Sequence, residues 1–201
     1  MKFTTRDLVN IAVFGTVWGL IEISLGTVLK SLNIPMSGMV LGALGLVVVL
    51  TGRRFVPYRG ATLFMGIIAM LLKLFSLGGV VIGPMIGILS EALLAELVLS
   101  AAPRPGRLVF VLAGMLGVVS TVLQPFVTGP LLFGRTILVV WLDLIDRASY
   151  VLGLDPKAVW IVLLVYVGIH LLVGGLAGWA AWDAGKLLQV RLGSSPAEAI
   201  S

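Results

Sequence analysis

The chain has 201 residues, 59% of them hydrophobic and 11% charged, with a mean hydropathy of +1.15; a soluble domain carries roughly 25% charged residues, so water is not the solvent for most of this one. Its net charge of +5 sits in short clusters between apolar stretches and belongs to no nucleic-acid motif, so lipid and membrane orientation account for it and no nucleic-acid partner is expected. There is no cysteine, which excludes disulfides, thiolate metal sites and cysteine nucleophiles.

A crossing takes roughly 20 apolar residues. Apolar runs read against charge breaks predict six of them, at about 8–30, 36–52, 57–76, 79–102, 107–127 and 156–183. The expected fold is an all-α membrane protein, a single integral domain over 1–201 with six transmembrane helices. Lys2 and Arg6 precede the first run, which continues past Glu22 to about Leu29 without a small-x-small cleavage site, so it reads as a retained helix. Steps of four, three and four residues put Gly15, Gly19, Glu22 and Gly26 on one stripe, a face for close packing against another helix.

Asn33 and Pro35 break the chain before the second run, and Gly52, Arg53, Arg54 and Pro57 end it. Lys73, near the end of the third run, either snorkels to the interface or pairs with Glu91 or an anionic substrate group. After a break at Gly78 and Gly79, the fourth run reaches Glu91 about 12 residues in, or roughly 18 Å of helix, near the midplane. An ionisable residue there is a ligand contact or a hydrogen-bonded packing residue. Glu96 lies about 140° around the same helix from Glu91 and is expected at a partner surface.

Pro103, Pro105 and Gly106 separate the fifth run, where Gln124 precedes Pro125; a proline frees backbone carbonyls, and such places line cavities. Residues 128–155 mix Pro130, Arg135, Asp143, Asp146, Arg147 and Asp155 with Ile137, Leu138, Trp141 and Ile145. The uninterrupted apolar core, Thr136 to Leu142, is too short to cross, so an amphipathic segment lies on the membrane or folds over the bundle, as helix or as loop. On the sixth run, His170 is the single histidine, which makes a metal site unexpected and leaves a buried packing histidine or a ligand contact. Trp160 and Tyr166 suit stacking on an aromatic substrate, and Trp160 equally suits the interfacial aromatic belt. Small-xxx-small spacings recur at Gly38 to Gly42, Gly79 to Gly83, Gly83 to Gly87 and Gly174 to Gly178, which argues for closely approaching helices.

With the N-terminus inside, the cytoplasmic basic residues are Lys2, Arg6, Arg53, Arg54, Arg59, Arg104, Arg107, Lys186 and Arg191, against Lys30, Arg135, Arg147 and Lys157 outside. The bias places both termini in the cytoplasm. There is no Walker A sequence, GxSxG or HExxH motif, so neither ATP hydrolysis nor other enzyme activity is expected, and no cofactor. Transport would be passive, ion-coupled or driven by a partner.

The segments TTRDLVNIAVFGTVWG (4–19) and LGGVVIGPMIGILSEALLAEL (77–97), together with the six-span layout, resemble the S component of an energy-coupling factor (ECF) transporter, the vitamin-importing class of ABC systems. The resemblance implies a prokaryotic-type subunit of the cytoplasmic membrane that captures a vitamin-like small molecule from outside. It also implies docking on a transmembrane T component that carries two ABC ATPases. The family's alanine-xxx-alanine docking motif on the first helix has its nearest matches here in Ala12 to Thr16 and Gly15 to Gly19. An outward-opening family pocket implies Asn33, Lys73, Glu91, Gln124, Trp160 and Tyr166 as substrate contacts, with 128–155 as a lid, and His170 joins them on its own reading as a ligand contact. A carboxylate on the fourth helix resembles thiamine-binding members and implies a cationic or amine-bearing heterocycle. A stand-alone transporter or channel using Glu22, Glu91, Lys73 and His170 as an ion path is the alternative reading, and a scaffold whose glycine seams only bind other helices is a third.

Overall fold

The computed structural model describes residues 3–76 and 82–192, and among these the chain is wholly helical. Seven helices follow one another: α1 (Thr5–Ser31), α2 (Ser37–Phe55), α3 (Ala61–Leu72), α4 (Ile82–Ala101), α5 (Arg107–Phe133), α6 (Ile137–Leu152) and α7 (Val159–Arg191). Five of them, α1, α2, α4, α5 and α7, are long and apolar enough to cross a membrane. Large side chains such as Leu20, Leu108, Leu131 and Leu164 are exposed around the outside, as lipid contact requires. The expected break at Gly78 and Gly79, the start of the fourth run and Lys2 lie outside the described residues.

The third run is shorter than expected. Pro57 to Gly60 form a turn, α3 begins only at Ala61, and a 3-10 turn over Lys73–Phe75 ends the helix before extended Ser76. Helix and 3-10 turn together fall below the length that a crossing takes. The fifth and sixth runs are longer than expected: α5 continues through Pro125 and Pro130 to Phe133, and α7 passes Asp183 and Lys186 to Arg191. Prolines are tolerated in a helix whose neighbours supply other partners for the freed carbonyls.

Two ends of the bundle are distinct. At one, the ring of Phe3 meets Tyr58 and Phe64, Arg54 of α2 bonds Gln189 of α7, and Phe110 of α5 packs on Trp182 of α7. At the other, the α1–α2 connection, the last turns of α5, α6 and the start of α7 come together. The core between them is centred on Trp18, fully buried among Leu46, Val49, Met65 and Ala92. Gly45 makes room for its indole, since a Cβ there would lie 1.9 Å from Trp18 Nε1.

The stripe on α1 packs as its spacing predicts. A Cβ on Gly15 would stand 2.8 Å from the Met65 carbonyl oxygen, and one on Gly19 would meet Leu72 and Ala69, so both glycines are taken up against α3. Glu96 departs from expectation. Instead of facing a partner, it is buried and accepts from the backbone N–H of Gly60 (2.8 Å) and of Thr62 (3.0 Å), from the Ser100 hydroxyl, and lies 3.6 Å from Arg53. A carboxylate satisfies orphan N–H groups and complements the dipole at the start of α3. Glu96→Gln keeps the volume but loses the charge facing Arg53 and one acceptor, and is expected to cost about 1–3 kcal/mol, read as a lower melting temperature in detergent.

Candidate functional site

The segment after α5 is a helix. Thr136 caps it by accepting from the Val139 N–H, and Gly134 (φ +61) and Gly153 (φ +65) turn the chain into and out of it through left-handed backbone that glycine adopts without strain. Its apolar side, Val140, Leu144, Ile145 and Ala148, is buried while Leu142, Asp143, Asp146 and Arg147 are exposed. Phe126 of α5 and Trp141 of α6 meet at 6.4 Å between ring centroids, and an Arg135–Asp143 ion pair closes the corner between the helices. An amphipathic helix therefore lies against the ends of α5 and α7.

Two cavities flank it. One, of about 270 Å³, lies between α5, α6 and α7, with Thr121, Pro125, Thr128, Phe133, Arg147 and Tyr166 among its lining residues. The other, of about 380 Å³, lies under the α1–α2 connection, with Asn33, Pro35, Met36, Arg147, Tyr150 and Tyr166. Arg147 and Tyr166 line both. The first has a mixed wall: apolar Val122, Leu144 and Phe133, hydroxyls of Thr121 and Thr128, and the charges of Arg135, Asp143 and Arg147. Pro125 has no N–H to give the carbonyl of Thr121 one turn back, so this wall also holds a freed acceptor. Arg135 and Asp143 neutralise each other, whereas Arg147 makes no hydrogen bond or ion pair among the described residues. What remains is one free guanidinium beside an aromatic ring that is itself largely buried, an arrangement suited to an acceptor or anionic group on a flat apolar body.

Of the residues singled out from the sequence, Tyr166 and Asn33 line these cavities, Asn33 with a left-handed φ of 49° in the α1–α2 turn. His170, one turn beyond Tyr166, is buried; its Nδ1 is 2.8 Å from the Tyr166 carbonyl oxygen and its ring 4.6 Å from the Tyr166 ring. It supports the tyrosine from behind. Gln124 donates to the Gly83 carbonyl (2.6 Å) and so ties α5 to the start of α4. Trp160 is 81% exposed and lines neither cavity.

Glu91 and Lys73 belong elsewhere, to a polar cluster in the interior. Lys73 is 2% exposed and donates to the Glu22 carboxylate at 3.1 Å and to the Glu22 backbone carbonyl. It thus pairs with Glu22 and not with Glu91. Gly26 leaves room for the ammonium, since a Cβ there would be 3.0 Å from Lys73 Nζ. Glu91 rests against Gly42, where a Cβ would stand 2.7 Å from Oε1; among the described residues its buried Oε2 has no hydrogen-bond partner. On α1, Ala12 is exposed and Thr16 half-buried, whereas Gly15 and Gly19 face α3. Arg147, Thr121 and Thr128 are not among the contacts read from the sequence; the signal for Arg147 is that it is the one basic residue within α6. Comparison with known families, curated proteins and solved structures finds no match to this chain.

Proposed function

We infer that the chain is the substrate-capturing S component of an ECF-type importer, in a prokaryotic-type cytoplasmic membrane with both termini inside, the five long helices being joined by the short α3 with its 3-10 turn as a sixth, thinner crossing. The observation that carries the reading is the pair of cavities sharing Arg147 and Tyr166 beneath an amphipathic helix, an arrangement suited to a small molecule at that end of the bundle. Residues able to bind nucleotide are not among its motifs, so the energy would come from a T component and two ABC ATPases. The docking face on α1 would be its exposed side, Leu8, Val9, Ala12, Val13 and Leu20, since Gly15 and Gly19 are occupied by α3. The substrate is a vitamin-like molecule; with Glu91 outside the cavities and Arg147 unpaired inside them, an aromatic body carrying a carboxylate or another strong acceptor fits better than a cationic heterocycle. α6, set between two left-handed glycines, serves as the lid.

Native mass spectrometry of the purified chain, followed by thermal melting against a vitamin panel, tests this, because a ligand that prefers the folded state must stabilise it. A retained ligand is expected, with Arg147→Gln weakening its binding about tenfold or more through the loss of a charge-assisted hydrogen bond and Trp160→Ala leaving it unchanged. No ligand and no stabilisation across the panel would sink the reading. The buried Glu22–Lys73 pair and the buried Glu91 favour a stand-alone ion-coupled transporter as the second reading; ion-dependent flux through the purified chain alone would then be seen.

A further inference from the structure

The opposite end of the bundle holds a cleft of about 460 Å³ between the end of α2, the α4–α5 connection and α7, whose lining includes Arg53, Arg54, Tyr58, Arg104, Trp182 and Gln189. Among the described residues no aspartate or glutamate lines it. Arg54 is built into place: Gly185 clears its stem, a Cβ there falling 2.2 Å from Arg54 Cδ, and the guanidinium lies 4.1 Å over the Trp182 ring. Its Nη2 donates to Gln189 Oε1 and the Gln189 amide donates back to the Arg54 carbonyl, both at 2.8 Å, while its enclosed Nε finds no acceptor among the described residues.

Arg53 is buried and donates to the Val56 carbonyl at 3.3 Å. Its carboxylate partner, Glu96, is 3.6 Å away and already engaged by two backbone N–H groups and a hydroxyl. Arg104 is exposed with no hydrogen bond or ion pair among the described residues. Lys186 adds a further cation 5.6 Å from the Trp182 ring centroid, and Asp183 on the same stretch of α7 is held by Arg107. Positive charge is therefore concentrated there, with Arg53 and Arg54 fixed in geometry and no carboxylate among the described lining residues.

Guanidinium groups match phosphate oxygens in a planar, bidentate way, and Tyr58 and Trp182 are the amphipathic rings found at the headgroup level of a bilayer. The walls of Phe110, Pro57 and Pro103 accept the apolar part of such a ligand. We propose that this cleft is a phosphate-binding site filled by the headgroup of an anionic phospholipid. Phosphate supplies the recognised chemistry and the lipid is its source, independently of any substrate bound beside α6.

The purified full chain is melted in detergent with short-chain phosphatidylglycerol, short-chain phosphatidylcholine or inorganic phosphate, and lipid retention is read by native mass spectrometry. Phosphatidylglycerol is expected to be retained and to raise the melting temperature more than phosphatidylcholine does. Arg54→Gln and Arg104→Gln should each weaken it about fivefold, and Lys157→Gln at the far end should not. Arg104 makes no contact whose loss would unfold the chain, so its variant keeps the test sharp if Arg54→Gln melts early. Inorganic phosphate binding as tightly as the lipid would overturn the lipid as source and leave the phosphate site. Equal binding of both lipids with Arg104→Gln unchanged would overturn the site itself, and so would binding of none of the three probes.

Discussion

Gly178→Ala is expected to lower the stability of the folded chain by roughly 3 kcal/mol, at the upper end of what one added methyl does in a packed core. The reason lies in what it would meet. A Cβ on Gly178 would stand 2.1 Å from the Phe110 carbonyl oxygen, one on Gly174 2.4 Å from the Gly114 carbonyl oxygen, and one on Gly114 2.1 Å from that of Gly174. These are backbone atoms, which cannot swing aside as a leucine methyl does, so α5 and α7 must separate. Helices in lipid gain little from burying apolar surface and depend on close packing, so separation costs the contacts that hold the bundle. The Phe110–Trp182 edge contact at 5.1 Å would loosen at one end and the support of Tyr166 at the other. Gly168→Ala on the same helix is the control: nothing lies within 4 Å of its Cβ position, and alanine has the better helix propensity, so its melting temperature should be unchanged or slightly higher. If Gly178→Ala melts with the parent chain, the two helices do not approach as closely as described.

This seam also marks how far a sequence can be read. The Gly174 to Gly178 spacing announces a close approach, but nothing in it says that Gly114 and Phe110 receive it, because the partner is chosen by three-dimensional packing. The stripe of Gly15, Gly19, Glu22 and Gly26 was legible for the same reason, and its partner, α3, was not. Glu96 was misplaced because its ligands are backbone N–H groups at the start of another helix, which carry no side-chain signature. Lys73 and Glu91 read as candidates for one site because both are charges in apolar runs; the structure pairs Lys73 with Glu22 and sets Glu91 against Gly42 instead. Tyr166 was legible as an aromatic on the last long helix. Arg147 was harder to see, since its meaning depends on α6 lying against the bundle and on Arg135 and Asp143 cancelling each other beside it.

Lys73→Met is the second substitution with a large expected effect, about 3–5 kcal/mol of lost stability, the usual result of removing one member of a buried pair. Glu22 would keep its burial and lose the ammonium at 3.1 Å. The α1 backbone would lose as well, because Lys73 also caps the Glu22 carbonyl. Methionine fills much of the same volume, so the effect isolates charge from packing. The double variant Glu22→Gln with Lys73→Met removes both charges and is expected to recover most of the loss, since a buried ion pair exchanged for neutral groups of similar volume is often close to neutral in stability. The cycle of parent, two singles and double, followed by thermal or denaturant unfolding in detergent, yields a coupling energy for the pair. A coupling of several kcal/mol would make Glu22 and Lys73 one structural unit that holds α1 to the end of α3. A double variant as unstable as Lys73→Met alone would mean that the lysine acts through the backbone carbonyl or through Glu91, and the pairing with Glu22 would then contribute little.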